Sequence, residues 1–165
     1  MAGRDTSGPV TLSVLDRLLD DDPKHSAEVP LSRPQSLRAL KAGLKRDLEW
    51  LLNTRRTIDL PPAASRELLH SAYCYGFADI SSRSVLSAED QGDLVKEMES
   101  VIATFEPRLK RVKVRMDSVG GSSQSMSFVI EGLLNVDPAP EPVRFDTVLE
   151  IGKGEYAVKG EDGAR

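Results

Sequence analysis

The spacing of apolar residues changes character at Pro107. Before it, Leu94, Met98, Val101, Ile102 and Phe105 fall at helical spacing and define one buried face. After it, Val112, Val114 and Met116 alternate with Lys113 and Arg115, the period of a half-buried strand. A proline cannot continue the helix, and it pushes Glu106 out of helical geometry. The chain therefore reads as helices first and strands afterwards.

Each half repeats its own pattern. "TLSVLDRLLDDDP" reads as a short helix with Leu12, Leu15, Leu18 and Leu19 on one face, closed by Pro23. From Asp20 to Pro34 the chain is polar and carries three prolines, as a linker would. A long helix is expected from Gln35 to Arg56, with Ser32 as its N-cap. Leu37, Leu40, Leu44, Leu48 and Leu51 make its apolar stripe, and Trp50 lies beside them. Arg38, Lys41, Lys45, Arg46 and Glu49 read as its solvated face. A short helix is expected from Ala63 to Ser71, then an irregular loop in which Gly76 suits a turn. Ser87 opens the helix that ends at Pro107.

Among the strands, Met126, Phe128, Ile130, Gly132, Leu134 and Val136 alternate, as do Val143, Phe145, Thr147, Leu149 and Ile151. "SVGGSS" and "GKG" mark turns, and "EYAVK" reads as a last strand. The expected fold class is α+β, with N-terminal helices followed by an antiparallel sheet of three to four strands. Residues 1–34 are expected to form a short helix and polar linker, 35–160 a single domain, and 161–165 a flexible tail.

Composition narrows the function. In 165 residues, 39% hydrophobic content suffices for one core, and no apolar run approaches the ~18 residues of a membrane span. The net charge of -4 gives no general attraction for nucleic acid. The N-terminal residues lack a signal-peptide core, and the single cysteine, Cys74, reads as a packed thiol with no internal partner. These features point to the cytoplasm.

Catalytic signals are weak. Nothing marks a carboxylate pair for glycoside hydrolysis, and Asp20, Asp21 and Asp22 read as a solvated helix end. His25 and His70 lie far apart, without the spacing of a helical metal site. No cofactor is implied. Arg108 to Arg115 holds five basic residues among eight (Arg108, Lys110, Arg111, Lys113 and Arg115), without interleaved aromatics for base stacking. Along an edge strand they are either protection against stray pairing or a docking stripe for an acidic partner. Glu106 and Arg108, astride Pro107, leave two readings open. One is a local ion pair that fixes the corner, contributing ~0–1 kcal/mol if exposed. The other is a rigid charged protrusion engaged by a partner, where losing one member costs about 2–5 kcal/mol.

"FEPRL", followed by an alternating basic strand, resembles the Glu-Pro-Arg motif of the TssE family of type VI secretion baseplate subunits, relatives of a wedge protein of contractile-tailed phage. "SVLDRLLDDDP", "LKRDLEWLLNTRR", "YGFADIS", "FVIEGLL" and "VRFDTVLEIGKGEYAV" resemble other family segments in the same order, over Leu12 to Val158. The resemblance implies a structural subunit of the baseplate wedge, beside TssF, TssG and TssK and near the inner membrane. It also implies a likeness to the strand-exchanging domain of the sheath proteins TssB and TssC, and hence a role in starting the sheath. Glu106, Pro107 and Arg108 are implied in docking, with Lys110, Arg111, Lys113 and Arg115 beside them. The lysozyme-like label used for such proteins finds no supporting constellation here. Peptidoglycan hydrolysis and nucleic-acid binding remain the alternatives.

Overall fold

Residues 8–19, 30–62, 64–79, 87–119 and 125–160 are described in a computed structural model of the chain. Helix α1 (Val14–Leu18) is followed by α2 (Arg33–Asn53), α3 (Arg66–Leu69) and α4 (Ala88–Phe105). Strands β1 (Leu109–Val119), β2 (Ser125–Leu134), β3 (Glu141–Glu150) and β4 (Glu155–Lys159) then form one antiparallel sheet in the order β1-β2-β3-β4. The α+β class and the order of its parts are as the sequence predicts.

α2 begins two residues earlier than expected and takes Pro34 into its first turn, where a missing N–H loses no bond. Gln35 Oε1 accepts from both the N–H and the hydroxyl of Ser32, at 2.9 and 2.7 Å. The helix ends at Asn53 rather than Arg56. Leu40, Leu44, Leu48, Leu51 and Leu52 are its buried stripe, while Trp50 is 52% exposed and stands outside it. In α4, Ser87 Oγ accepts the Asp90 N–H at 3.3 Å, and Leu94, Met98, Val101 and Ile102 are buried. Phe105 is half-buried, edge-on to Tyr75 with centroids 5.4 Å apart.

Alternation sends one face of the sheet into the core. The cross-strand rows Val114–Ile130–Phe145, Met116–Phe128–Thr147–Val158 and Met126–Leu149–Tyr156 pack with α2 and α4 in one cluster. The rows Lys113–Glu131–Arg144 and Arg115–Val129–Asp146–Lys159 lie on the opposite face. Gly76 ties the loop to the end of α2. Its φ is 112°, a Cβ there would sit 2.4 Å from the Thr54 carbonyl, and Phe77 N–H donates to that carbonyl at 2.7 Å. Cys74 is buried and free. "GKG" is a turn, with Gly154 at φ 67° donating its N–H to Glu150 O at 2.8 Å.

Three expectations are corrected. Leu15, Leu18 and Leu19 are exposed, so α1 buries none of its helical residues and Leu12 alone of that face packs on the core. The expected helix from Ala63 to Ser71 is the four-residue α3 followed by a 3-10 turn at Ala72–Cys74. Arg46 is drawn inward from the supposedly solvated face of α2, as described below. The expectations for residues 20–29, including Asp20, Asp21, Asp22 and His25, for the middle of "SVGGSS" and for residues 161–165 lie outside the described residues.

Candidate functional site

At the α4–β1 junction, the backbone N–H of Glu106 still donates to Ile102 O at 2.8 Å, while its φ of -118° and ψ of 76° leave the helix. Pro107 is exposed at the tip. The chain then reverses, with Leu109 N–H donating to Glu106 O at 3.1 Å. The reversal brings the two charged side chains together and turns them inward. Arg108 Nε donates to Glu106 Oε1 at 2.6 Å, and Arg108 Nη2 donates to Glu106 Oε2. Glu106 is only 5% exposed.

The pair is part of a longer chain of charges. Arg108 Nη2 also donates to Asp47 Oδ2 of α2 at 2.6 Å. Asp47 Oδ1 accepts from Arg46 Nε and Nη2, at 3.1 and 2.9 Å. Arg46 Nη1 reaches Asp16 Oδ1 of α1 at 2.8 Å, and the Ser13 hydroxyl donates to Asp16 Oδ2 at 2.6 Å. Asp16, Arg46, Asp47, Arg108 and Glu106 thus alternate in sign and join α1, α2, α4 and β1. Asp16 lies over Gly43, where a Cβ would meet its Oδ2 at 2.6 Å. A helix-interior glycine costs about 1 kcal/mol against alanine, and here it admits the close approach.

The electrostatics follow from this geometry. Bonding to Glu106 first, against burial, and then to Asp47 holds the Arg108 guanidinium above its ordinary value. Burial raises the Asp16 carboxyl, but Ser13 and Arg46 outweigh it and hold the group below its ordinary value. Burial, then the charges of Asp47 and Glu106, pushes the Tyr75 phenol up. The buried Arg108 Nη1 has no hydrogen-bond partner among the described residues.

The two sequence readings of the corner are therefore recast. The local ion pair of Glu106 and Arg108 that fixes the corner is present, but it is not an exposed one, because Glu106 is buried and Arg108 turns back to α2. The other basic residues lie along β1. Lys110, Arg111, Lys113 and Arg115 are exposed. Lys113 Nζ is 3.9 Å from Glu99 and Arg115 Nη2 is 2.6 Å from Glu131. Arg111 has φ 53° in a bulge between Lys110 and Lys113, which breaks the alternation. Sequence reasoning passed over Asp16 and Asp47 and placed Arg46 on a solvated face; the signal it did not use is Gly43, a glycine inside an otherwise favourable helix that admits a close neighbour.

Among the described residues, no group of His, Cys, Asp and Glu could hold a metal ion, and no helix is long and apolar enough to cross a membrane. The arrangement is one of fixation, since its carboxylates are engaged by guanidinium groups. No curated protein matches the chain. A family model described as baseplate wedge protein gp25 matches residues 38–139, which hold most of α2, all of α3, α4, β1 and β2, and the Glu106–Arg108 corner. With more than half its length so matched, this chain belongs to the gp25 family of baseplate wedge proteins.

Proposed function

We propose that the protein is a structural, non-enzymatic subunit of a type VI secretion baseplate, in the cytoplasm near the inner membrane. It docks in the wedge with TssF, TssG and TssK, and it starts the contractile sheath of TssB and TssC by strand addition. The observation that carries this reading is the corner itself. Five alternating charges fix the α4–β1 junction, so β1 offers Lys110, Arg111, Lys113 and Arg115 in one orientation. Little ordering is then left for docking. In this reading Glu106 and Arg108 set the angle of β1 and Pro107 is the exposed contact.

The test is capture of wedge subunits from cell extract by wild type and by a Lys110→Glu/Lys113→Glu/Arg115→Glu variant, with thermal melting as the folding control. The variant is expected to stay folded, melting somewhat lower because Glu99 and Glu131 then face like charges, and to lose the wedge proteins. Equal capture by both would remove the basic strand from the interface.

A further inference from the structure

Both outer edges of the sheet are partly occupied by side chains of the helices. At β1, Val114 N–H points away from β2 and donates to Glu99 Oε1 of α4 at 2.9 Å. Bulges on either side disturb the rest of that edge. At β4, Asn53 brackets Tyr156: its Oδ1 accepts the N–H and its Nδ2 donates to the carbonyl, each at 2.8 Å. The side-chain amide stands in for a neighbouring strand.

β3 is different. All ten of its residues pair with β2, but only Asp146–Glu150 pair with β4. Beside the stretch from Glu141 to Phe145, no strand lies on the β4 side among the described residues. The register fixes which groups face that gap. Tyr156 directs its N–H and carbonyl outward, so it and Leu149 are a non-hydrogen-bonded pair. Alternation then turns the backbone groups of Val148, Asp146, Arg144 and Pro142 toward the line of β4. Arg144 aims an N–H and a carbonyl into the gap, and Pro142 a carbonyl. A proline fits there because the missing donor faces an unpaired edge.

The gap is a groove of about 630 Å³ between β3 and the first half of α2. Leu37, Val143 and Phe145 give it an apolar floor. Its rim carries Arg38, Lys41, Lys45, Arg144 and Lys159, and among the described residues its lining includes no acidic side chain. Lys41 is 3.6 Å from Glu141 and Arg144 is 3.2 Å from Asp146, and neither of those acids lines the groove.

We infer that this groove accepts an extended acidic segment of a partner protein, which continues the line of β4 antiparallel to β3. This rests on the strand-addition reading above and goes further, to the stretch of sheet that is used and the chemistry of the segment. Backbone pairing to Arg144 and Pro142 supplies register, apolar side chains opposite Val143 and Phe145 cover the floor, and carboxylates meet the basic rim.

The probe is a fluorescein-labelled peptide of about seven residues alternating valine and glutamate, with a valine–lysine peptide as its charge control. Fluorescence anisotropy is expected to show saturable binding of the glutamate peptide alone, weakening as salt rises. An Arg38→Glu/Lys45→Glu variant, both changes lying on the rim, is expected to bind it about tenfold more weakly while melting like wild type. Hydrogen exchange at the Arg144 amide is expected to slow on peptide addition. Equal binding of both peptides, an unaffected variant, or unchanged exchange at Arg144 overturns the inference. If the probe binds only after residues 161–165 are removed, the chain's own terminus is the occupant and the inference fails. A dimer that dissociates in the same variant would instead seat a second copy in the groove, and the inference fails equally. Failure of the peptide test with wedge capture retained rejects this groove and leaves the baseplate role standing. Peptide binding without wedge capture does the reverse.

Discussion

The charged corner and the groove beside β3 use the same residue types to opposite ends. In the corner, Arg46 and Arg108 each meet two carboxylates, and the arrangement closes on itself across four elements. In the groove, five cations surround an apolar floor that holds no acid among the described residues. Charges matched inside a protein fix geometry; charges of one sign gathered around a groove select what enters it. The difference teaches that counting basic residues along a sequence does not locate an interface. What matters is whether the fold turns them toward its own carboxylates or toward a shared opening.

The sharpest way to break the comparison is Arg108→Ala. It leaves Glu106 buried without its guanidinium. We expect a loss of about 3 kcal/mol in urea unfolding, at the lower end for a broken buried pair, because the Arg108 side chain is already 25% exposed. A loss below about 1 kcal/mol would reduce the corner to an ordinary surface pair. Next comes Asn53→Ala, which removes both bonds to Tyr156 and opens the β4 edge. About 1–2 kcal/mol should be lost, and sedimentation should show self-association through the freed edge. A monomer at all concentrations would mean that Asn53 is not what guards it.

Acidification probes the far end of the corner more gently. Asp16 titrates below its ordinary value of 3.8 in the folded protein, so its contribution is fully present above that value. It is lost as pH falls through the lower folded value. The Val10 N–H, which donates to Ser36 Oγ at 2.9 Å, should therefore lose protection relative to its intrinsic exchange rate at such pH, and Asp16→Asn should abolish that pH-dependent loss. Persistence of that dependence in Asp16→Asn would assign it to another carboxylate. The smallest effect is expected for Lys113→Ala, within about 0.5 kcal/mol of wild type, since its 3.9 Å contact with Glu99 is largely solvated. A larger loss would make β1's basic stripe part of the fold's support.

Periodicity made the frame of the fold legible. The leucine stripe of α2, the buried face of α4 and the alternation of Val143, Phe145, Thr147 and Leu149 all follow from burial on one side, and burial leaves a repeating mark. The corner left almost none. Asp16 and Arg46 are far apart in sequence, and a charge that turns inward looks the same in a sequence as one that faces water. The leucines of α1 misled for a related reason: a five-residue helix is held by Asp16 and Ser13, and only Leu12 of its apolar face reaches the core. The groove was half visible, because "VRFDTVLEI" is longer than "EYAVK" and two adjacent strands of unequal length cannot pair throughout. What the sequence could not show is that α2 lines the surplus with cations.

Trp50 is the single tryptophan of the chain, and the Arg46 guanidinium lies 5.0 Å from its ring centroid. The protein thus carries its own optical gauge. Undocking the N-terminal segment frees Arg46 from Asp16 and changes the field at the indole, so the colour and intensity of one emission band report on the corner without any added label.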